Sequence, residues 1–321
     1  MERDKEITNV KLTDGSLIFN GDNLEVLSTL ETNSIDSIVT DPPYGLKLLG
    51  NKWDYDIPSS GTWKEFLRVL KPGGHLLSFS SPRTYHRMAT AIEESGFEIK
   101  DQLMWIYGQG FPKSTNMVKQ IKGWDGWGTN LKPAHEPIVM ARKHLDGTYK
   151  ENVLKWGTGL LNIDLSRIKT GVQPTPAHRT KNTNQGDVFN FRENNYKPNK
   201  LGRFPSNVII SEVAGEEIET MKMGGSKFFY CPKINTKDKG IGNTHPTVKP
   251  TVLMQYLVRL VTPQWGKVLD GYFGSGSTGK ACIREGFEFI GIELETDYYN
   301  MAVNRCKQEL LLTPKKFKPA A

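Results

Sequence analysis

Cysteine is scarce in this 321-residue chain, and long apolar runs are missing. Its three cysteines, Cys231, Cys282 and Cys306, are far apart and form no Cys-x-x-Cys pair, so we expect packing residues rather than a disulfide framework or a metal site. The start of the chain, MERDKEITNVKL, is charged and has no apolar core, which argues against a signal peptide. The chain has no run of about 18 apolar residues, so the sequence predicts no membrane span. The scarcity of cysteine and of long apolar runs therefore predicts a protein of a reducing cytoplasm.

Basic residues exceed acidic ones, 42 against 35, for a net charge of +7. This balance is compatible with a polyanionic partner, although many ordinary proteins are mildly basic. Most of the excess lies in the polar, irregular segment 166–210, which carries a net charge of +6 and interleaved aromatic residues. Two interpretations stay open for it, a solvated loop or a nucleic-acid contact. The basic side chains of the segment are Arg167, Lys169, Arg179, Lys181, Arg192, Lys197, Lys200 and Arg203.

The order of apolar segments on both sides of this region predicts an α/β fold. Helical spacing covers 62–70 and 84–95, and short apolar strands cover 37–39, 75–79, 97–99 and residues near 103–105. Lys-Pro-Gly-Gly at 71–74 is expected to end the first of these helices. After the polar segment, a helix opens at Pro250, and strand, glycine-rich turn, helix and strand follow over 266–292, with Gly286 ending the helix. Alternating elements of this kind predict a mostly parallel sheet with both faces covered.

The glycine-rich turn GSGSTGK at 274–280 resembles the phosphate-binding loop of nucleoside triphosphatases. That pattern requires Ser or Thr next, where the hydroxyl binds Mg²⁺, and the chain has Ala281. A triphosphatase is therefore disfavoured, and Lys280 is expected to be a solvent-facing helix residue. Asp270 ends the strand before the turn, and Glu293 ends the strand after the helix. An acidic residue about 20 positions beyond the glycines suits the ribose of an adenosine-type cofactor.

A second motif, Asp41-Pro42-Pro43-Tyr44, directly follows the strand at 37–39. Paired prolines often form only a rigid turn. This set, however, could assist methyl transfer to the exocyclic amine of a base, which is a poor nucleophile. The Asp41 carboxylate and the Pro42 carbonyl could accept hydrogen bonds from the NH₂ group and orient its nitrogen, since the prolines fix their geometry. Tyr44 could stack on a base that has left the duplex.

With these motifs, the chain resembles the β class of S-adenosylmethionine-dependent DNA amino-methyltransferases, several of which come from phages or prophages. The resemblance implies the cytoplasm of a bacterium or of a phage-infected host cell. The resemblance covers nearly the whole chain, because six segments follow the order of that family. They are GDNLEVL (21–27), DPPYG (41–45), LKPGGHLLSF (70–79), KPAHEPIVMARK (132–143), HPTVKP (245–250) and FGSGSTGKA (273–281).

The resemblance implies a Rossmann-like methyltransferase sheet with a circularly permuted motif order and an inserted target-recognition region. Residues 1–130 and 245–310 would form the catalytic and cofactor-binding domain, 131–244 the target-recognition region, and 311–321 a basic tail. One departure stands out, because the family has Asp-Pro-Phe where this chain has Asp270-Gly271-Tyr272-Phe273.

The resemblance also assigns residues. Asp41, Pro42, Pro43 and Tyr44 would be catalytic. S-adenosylmethionine would bind Glu293 through its ribose, Asp22 near its adenine, and Thr247 and Lys249 at its methionine end, although Asp22 could instead cap a helix and Lys249 could face solvent. The rest of the implied cofactor site comprises Asp270, Phe273, Gly274, Ser275, Gly276, Ser277 and Thr278. DNA contacts are expected from Arg179, Lys181 and Arg192.

The implied reaction is methylation of the N6 amine of a flipped-out adenine in double-stranded DNA. Asp at position 41 favours adenine, because cytosine-N4 enzymes of this kind more often carry Ser there; cytosine-N4 methylation is the alternative. A catalytically inactive DNA-binding module is the alternative of another class. C5-cytosine methylation is disfavoured because no cysteine follows a proline. A second copy of the chain and a cognate restriction endonuclease are further expected partners.

Overall fold

The computed structural model describes residues 7–47, 50, 52–107, 114, 121–168, 201–211, 214–216, 245 and 247–313. The strands are β1 (Thr8–Lys11), β2 (Leu17–Asn20), β3 (Ile35–Thr40), β4 (Leu70–Phe79), β5 (Glu98–Ile106), β6 (His135–Arg142), β7 (Val208–Ile210), β8 (Lys267–Asp270) and β9 (Glu288–Glu293). The helices are α1 (Asn23–Ser28), α2 (Ser60–Val69), α3 (Tyr85–Glu94), α4 (Tyr149–Trp156), α5 (Thr251–Val261), α6 (Ser277–Glu285) and α7 (Thr296–Leu312).

The nine strands found among the described residues form one sheet in the order β1-β2-β9-β8-β3-β4-β6-β5-β7. The centre, from β2 to β4, is parallel, whereas β6 runs antiparallel to both of its neighbours. All six residues of β3 are buried, as expected for a central strand with both faces covered. The α/β class and the mostly parallel sheet are thereby confirmed. The carboxyl ends of β3, β8 and β9 lie side by side, where ligands of open α/β sheets bind.

Local sequence explains the boundaries of helices α2 and α6, whereas the start of β4 differs from the prediction. Helix α2 begins after Ser59, whose hydroxyl accepts a hydrogen bond from the Thr62 N–H, and it buries Trp63 and Phe66 against the sheet. The helix ends at Val69, but the following Lys-Pro-Gly-Gly is not a turn, because β4 already starts at Leu70 and includes it. Helix α6 ends at Gly286 in the left-handed conformation, as predicted.

Strand β6 shows that the sheet extends beyond residue 130, where the sequence places the start of a target-recognition region. It lies between β4 and β5, and its residues from Ile138 to Arg142 pair with both strands. The first part of the segment 131–244 therefore belongs to the sheet. The predicted basic segment lies mostly at 169–200, outside the described residues. Within the described part of the chain, no helix is long and apolar enough to cross a membrane.

Candidate cofactor and catalytic site

The glycine-rich turn connects β8 to α6 and is shaped by two glycines in the left-handed region. Gly274 has φ +51° and Gly276 has φ +81°. The Gly274 N–H donates to Glu293 Oε2 at 2.7 Å. The Arg305 guanidinium of α7 donates to the carbonyl of Ser275, and to its hydroxyl at 2.8 Å. The turn is thus held from both sides by charged side chains of other elements.

Close packing, rather than phosphate binding, explains the glycine next to Lys280. A Cβ atom at Gly279 would lie 2.6 Å from Phe273 Cζ and 2.8 Å from Cys306 Sγ. Ala281 is fully buried in the apolar core. Lys280 does not face solvent, contrary to the prediction from the sequence. It is 9% exposed, and its ammonium lies 3.4 Å from Glu309 Oε2, because α7 covers this face of α6.

Gly271 has a similar explanation, which accounts for the departure from Asp-Pro-Phe. A Cβ atom there would lie 2.4 Å from Cζ of Phe66, a fully buried residue of α2. The ring of Phe66 therefore occupies the space that a side chain at position 271 would need. Phe273 keeps its position below the turn, where its ring stacks on Phe289 at 5.5 Å.

Two buried carboxylates flank the turn. Glu293 accepts hydrogen bonds from the N–H groups of Gly274 and Glu295, at 2.7 and 2.8 Å, yet burial raises its pKa to about 7. Asp270 accepts from the hydroxyls of Thr40 and Thr278, at 2.7 and 2.6 Å, and burial raises its pKa to about 6. Asp270 therefore fixes the turn to β3, whereas Glu293 stands at the mouth of the turn.

The Asp-Pro-Pro-Tyr motif leaves the carboxyl end of β3 and is fixed by a residue that sequence analysis did not identify. Asp54, 3% exposed, accepts from the backbone N–H groups of Tyr44 and Gly45 at 2.7 and 3.0 Å. The Tyr44 hydroxyl donates to Asp41 Oδ1 at 2.6 Å. Burial, followed by the negative charge of Asp41, raises the pKa of Tyr44 well above its ordinary value.

Lys249 and Glu136 complete the surroundings of Asp41. The Lys249 ammonium lies 2.6 Å from Asp41 Oδ2 and 3.2 Å from Glu136 Oε2. Lys249 is 8% exposed, and burial alone would lower its pKa. The charges of Asp41 and Glu136 outweigh burial and raise it, so the ammonium stays charged. The structure thus places Lys249, expected at the methionine end of the cofactor, against Asp41.

Both motifs face one cavity of about 580 Å³. Asp41 and Tyr44 line one part of it, and the glycine-rich turn and Glu293 line another. Pro42, Pro43, Thr247, Lys249 and Asp270 also border it. Pockets for small molecules commonly measure about 300–1,000 Å³. The cavity thus has the size and the linings for a cofactor and a second ligand beside it.

Other predicted residues are placed less simply. Asp22 both borders the cavity and caps α1, accepting from the Leu24 N–H at 2.8 Å. Gly276 does not border the cavity, and a Cβ atom there would lie 3.1 Å from that of Ala302. Arg179, Lys181 and Arg192 lie outside the described residues, as does Cys231, whereas Cys282 and Cys306 are buried free thiols.

Sequence analysis missed three residues that act on the motifs, namely Asp54, Glu136 and Arg305. Asp54 and Arg305 stand in segments without a recognisable signal. Glu136 lies in the family-like segment 132–143, but nothing in its spacing indicates that β6 would bring it next to Lys249. Each depends on a contact between distant parts of the chain.

The fold and the site together define an α/β architecture in which a glycine-rich turn and the Asp41 carboxylate lie at the carboxyl ends of the neighbouring strands β8 and β3. A family model described as DNA methylase matches residues 35–304. The chain therefore belongs to the DNA methylase family whose members act on N6 or N4 amines. It is an S-adenosylmethionine-dependent DNA methyltransferase.

Relatives and solved structures agree with this family. The type II methyltransferase M.HindIII of Haemophilus influenzae is 26% identical over 345 aligned positions, which cover 90% of this chain and 94% of the relative. M.HpaI of Haemophilus parainfluenzae, also a type II methyltransferase, is 27% identical, covering 89% of this chain and 72% of the relative. The fold is similar to that of the cytosine-N4-specific PvuII DNA methyltransferase, with a TM-score of 0.52, 18% identity and 93% coverage of both chains.

Proposed function

We propose that this methyltransferase transfers the methyl group of S-adenosylmethionine to the exocyclic N6 of an adenine that has left the DNA duplex. The observation that carries the proposal is the single cavity, lined by the Asp-Pro-Pro-Tyr carboxylate and by the glycine-rich turn. A carboxylate at position 41, rather than a serine hydroxyl, is the feature that favours adenine over cytosine.

The donor set of the cavity suits S-adenosylmethionine. The Glu293 carboxylate is placed to accept hydrogen bonds from the ribose hydroxyls. Among the described residues, the buried Ser277 hydroxyl beside the cavity has no hydrogen-bond partner, so it is available to a polar group of a ligand. Bound here, S-adenosylmethionine supplies an electrophilic methyl group on its sulfonium.

Asp41 and the Pro42 carbonyl then orient the amine. Hydrogen bonds from the NH₂ group to these two acceptors direct the nitrogen lone pair out of the ring plane and toward the methyl group. The Asp54 carboxylate keeps the turn in place through the N–H groups of Tyr44 and Gly45. Tyr44 offers an aromatic face for the extruded base.

The remaining partners also belong to this proposal. Arg179, Lys181 and Arg192 would contact DNA phosphates within the target-recognition part of 131–244. A homodimer, a paired restriction endonuclease and a cytoplasmic location stay predictions.

The test is a nucleoside analysis of methylated product. The protein is incubated with S-adenosylmethionine and genomic DNA from a methylation-deficient host, and the digested nucleosides are identified by mass spectrometry. N6-methyladenine is expected. N4-methylcytosine would overturn the choice of base, whereas absence of any methylated nucleoside would contradict the proposed activity on this DNA.

A further inference from the structure

Both oxygens of the Asp41 carboxylate already accept a hydrogen bond within the protein. The Tyr44 hydroxyl donates to Oδ1 and the Lys249 ammonium donates to Oδ2, each at 2.6 Å. A base amine that donates to Asp41 must therefore share an oxygen with one of these donors, and its hydrogen bond is strengthened if that donor moves away. In this arrangement the two donors weaken Asp41 as an acceptor for a further amine.

Glu136 is placed as a second acceptor for both donors. Its Oε2 lies 3.2 Å from the Tyr44 hydroxyl and 3.2 Å from the Lys249 ammonium. The two donors thus lie between the carboxylates of Asp41 and Glu136. A small movement of either donor would replace its hydrogen bond to Asp41 with one to Glu136. Strand β6 holds Glu136 at the cavity wall, independently of the turn that carries Asp41.

We propose that Glu136 is a positioning residue that takes over the Lys249 ammonium and the Tyr44 hydroxyl when the target amine donates to Asp41. The inference rests on the proposed function, since it requires an exocyclic amine as the ligand of Asp41. It applies equally to adenine N6 and cytosine N4.

The burial of Lys249 explains why a second carboxylate is needed. Lys249 is 8% exposed, and a buried ammonium without a negative partner is strongly unfavourable. With Glu136 present, Lys249 can leave Asp41 and remain paired. Without that charge, Lys249 stays bound to Asp41, and the amine must compete with it for the same oxygen.

The experiment compares Glu136→Gln with a matched control, Glu98→Gln. Glu98 lies on the adjacent strand β5, forms an ion pair with Arg142 at 2.6 Å, and does not border the cavity. Methyl transfer from tritiated S-adenosylmethionine to DNA gives kcat and KM, and calorimetry gives the cofactor Kd. For E136Q we expect kcat/KM for DNA to fall about tenfold or more, the worth of a charge-assisted hydrogen bond, with the cofactor Kd within twofold of wild type. E98Q should retain wild-type kinetics.

A second variant tests the direction of the effect. If Glu136 acts by drawing Lys249 from Asp41, then Lys249→Met in the E136Q background should not lower kcat/KM further and should restore part of it. A double variant slower than E136Q would overturn the proposal, as would an E136Q protein with unchanged kinetics or with lost cofactor binding. Failure of the proposed function is distinct, because the wild-type protein would then methylate no amine.

Discussion

The raised pKa of Glu293 leads to a prediction about cofactor binding that pH titration can test. Burial raises this pKa from its ordinary value of 4.5 to about 7, so near neutral pH the folded protein holds a proton that the unfolded chain releases. The rise corresponds to about 3 kcal/mol disfavouring the ionised carboxylate in the folded protein. Stability from this group is accordingly lost as pH rises from about 4.5 through 7.

Ribose hydroxyls that donate to Glu293 favour its ionised form and lower its pKa in the complex. Cofactor binding below pH 7 must therefore release the proton, and the affinity falls as the pH is lowered. With a pKa of about 7 in the free protein, Kd should be about tenfold weaker at pH 6 than at pH 8. At pH 8 the carboxylate is ionised, and Glu293→Gln should weaken binding by about 1.5–3 kcal/mol, the range for hydrogen bonds to charged groups.

Calorimetric titration with S-adenosylmethionine between pH 5.5 and 8.5 measures both effects. The part of the pH dependence of log Kd that is due to Glu293 is the difference between the slopes measured for wild type and for E293Q. Ionisation of the cofactor itself contributes equally to both. Glu288→Gln, at the half-buried start of the same strand, is the matched control and should keep the wild-type pH dependence. Equal pH dependence in wild type and E293Q would refute the reasoning.

Three further predictions follow from the motifs and from the packing below them. Asp41→Ala should reduce methyl transfer to DNA by about a hundredfold, the order of magnitude for misplacing a reacting group, with the cofactor Kd unchanged. Retained turnover would contradict the role of Asp41 in orienting the amine. Gly271→Ala should lower the free energy of unfolding by about 1–3 kcal/mol, a typical overpacking cost, because the new Cβ meets the Phe66 ring. Urea denaturation measures this loss. Adding Phe66→Leu to the same chain should recover part of it. Charge reversal in the basic segment should weaken DNA binding and flatten its dependence on salt, and affinity equal to wild type in a salt titration would contradict a DNA-contacting role. The residues to be reversed are Arg179, Lys181 and Arg192.

The sequence predicts those parts of the fold and site that depend on local patterns. Parallel strands with continuous apolar runs and the helix that ends at Gly286 are encoded by periodicity and capping, and the structure has them close to the expected positions. The predicted boundary at residue 130 does not coincide with an edge of the sheet, because the antiparallel strand β6 lies between β4 and β5. The pairing of β6 with β4 and β5 depends on contacts between distant parts of the chain, which the local apolar pattern of a strand does not specify.

Side chains that act across elements were beyond the reach of sequence patterns for a related reason. Lys280 is expected to face solvent once Ala281 rules out a phosphate-binding role, yet α7 covers it and supplies Glu309 as its partner. Asp54 supports the catalytic turn through backbone N–H groups that any sequence would present. The role of each side chain is determined by a partner that only the tertiary structure brings near.

The glycines show how one pattern can serve two chemistries. In a phosphate-binding loop the backbone N–H groups donate to the phosphate of the ligand. Here the Gly274 N–H donates instead to the carboxylate of Glu293 within the protein. A carboxylate in that position repels phosphate and accepts hydroxyl donors, so the turn is electrostatically suited to a ribose. Gly279 lacks a side chain because Phe273 and Cys306 pack against it. The glycines that resemble a phosphate-binding loop are therefore explained in this methyltransferase by the hydrogen bond to Glu293 and by the close packing around Gly279.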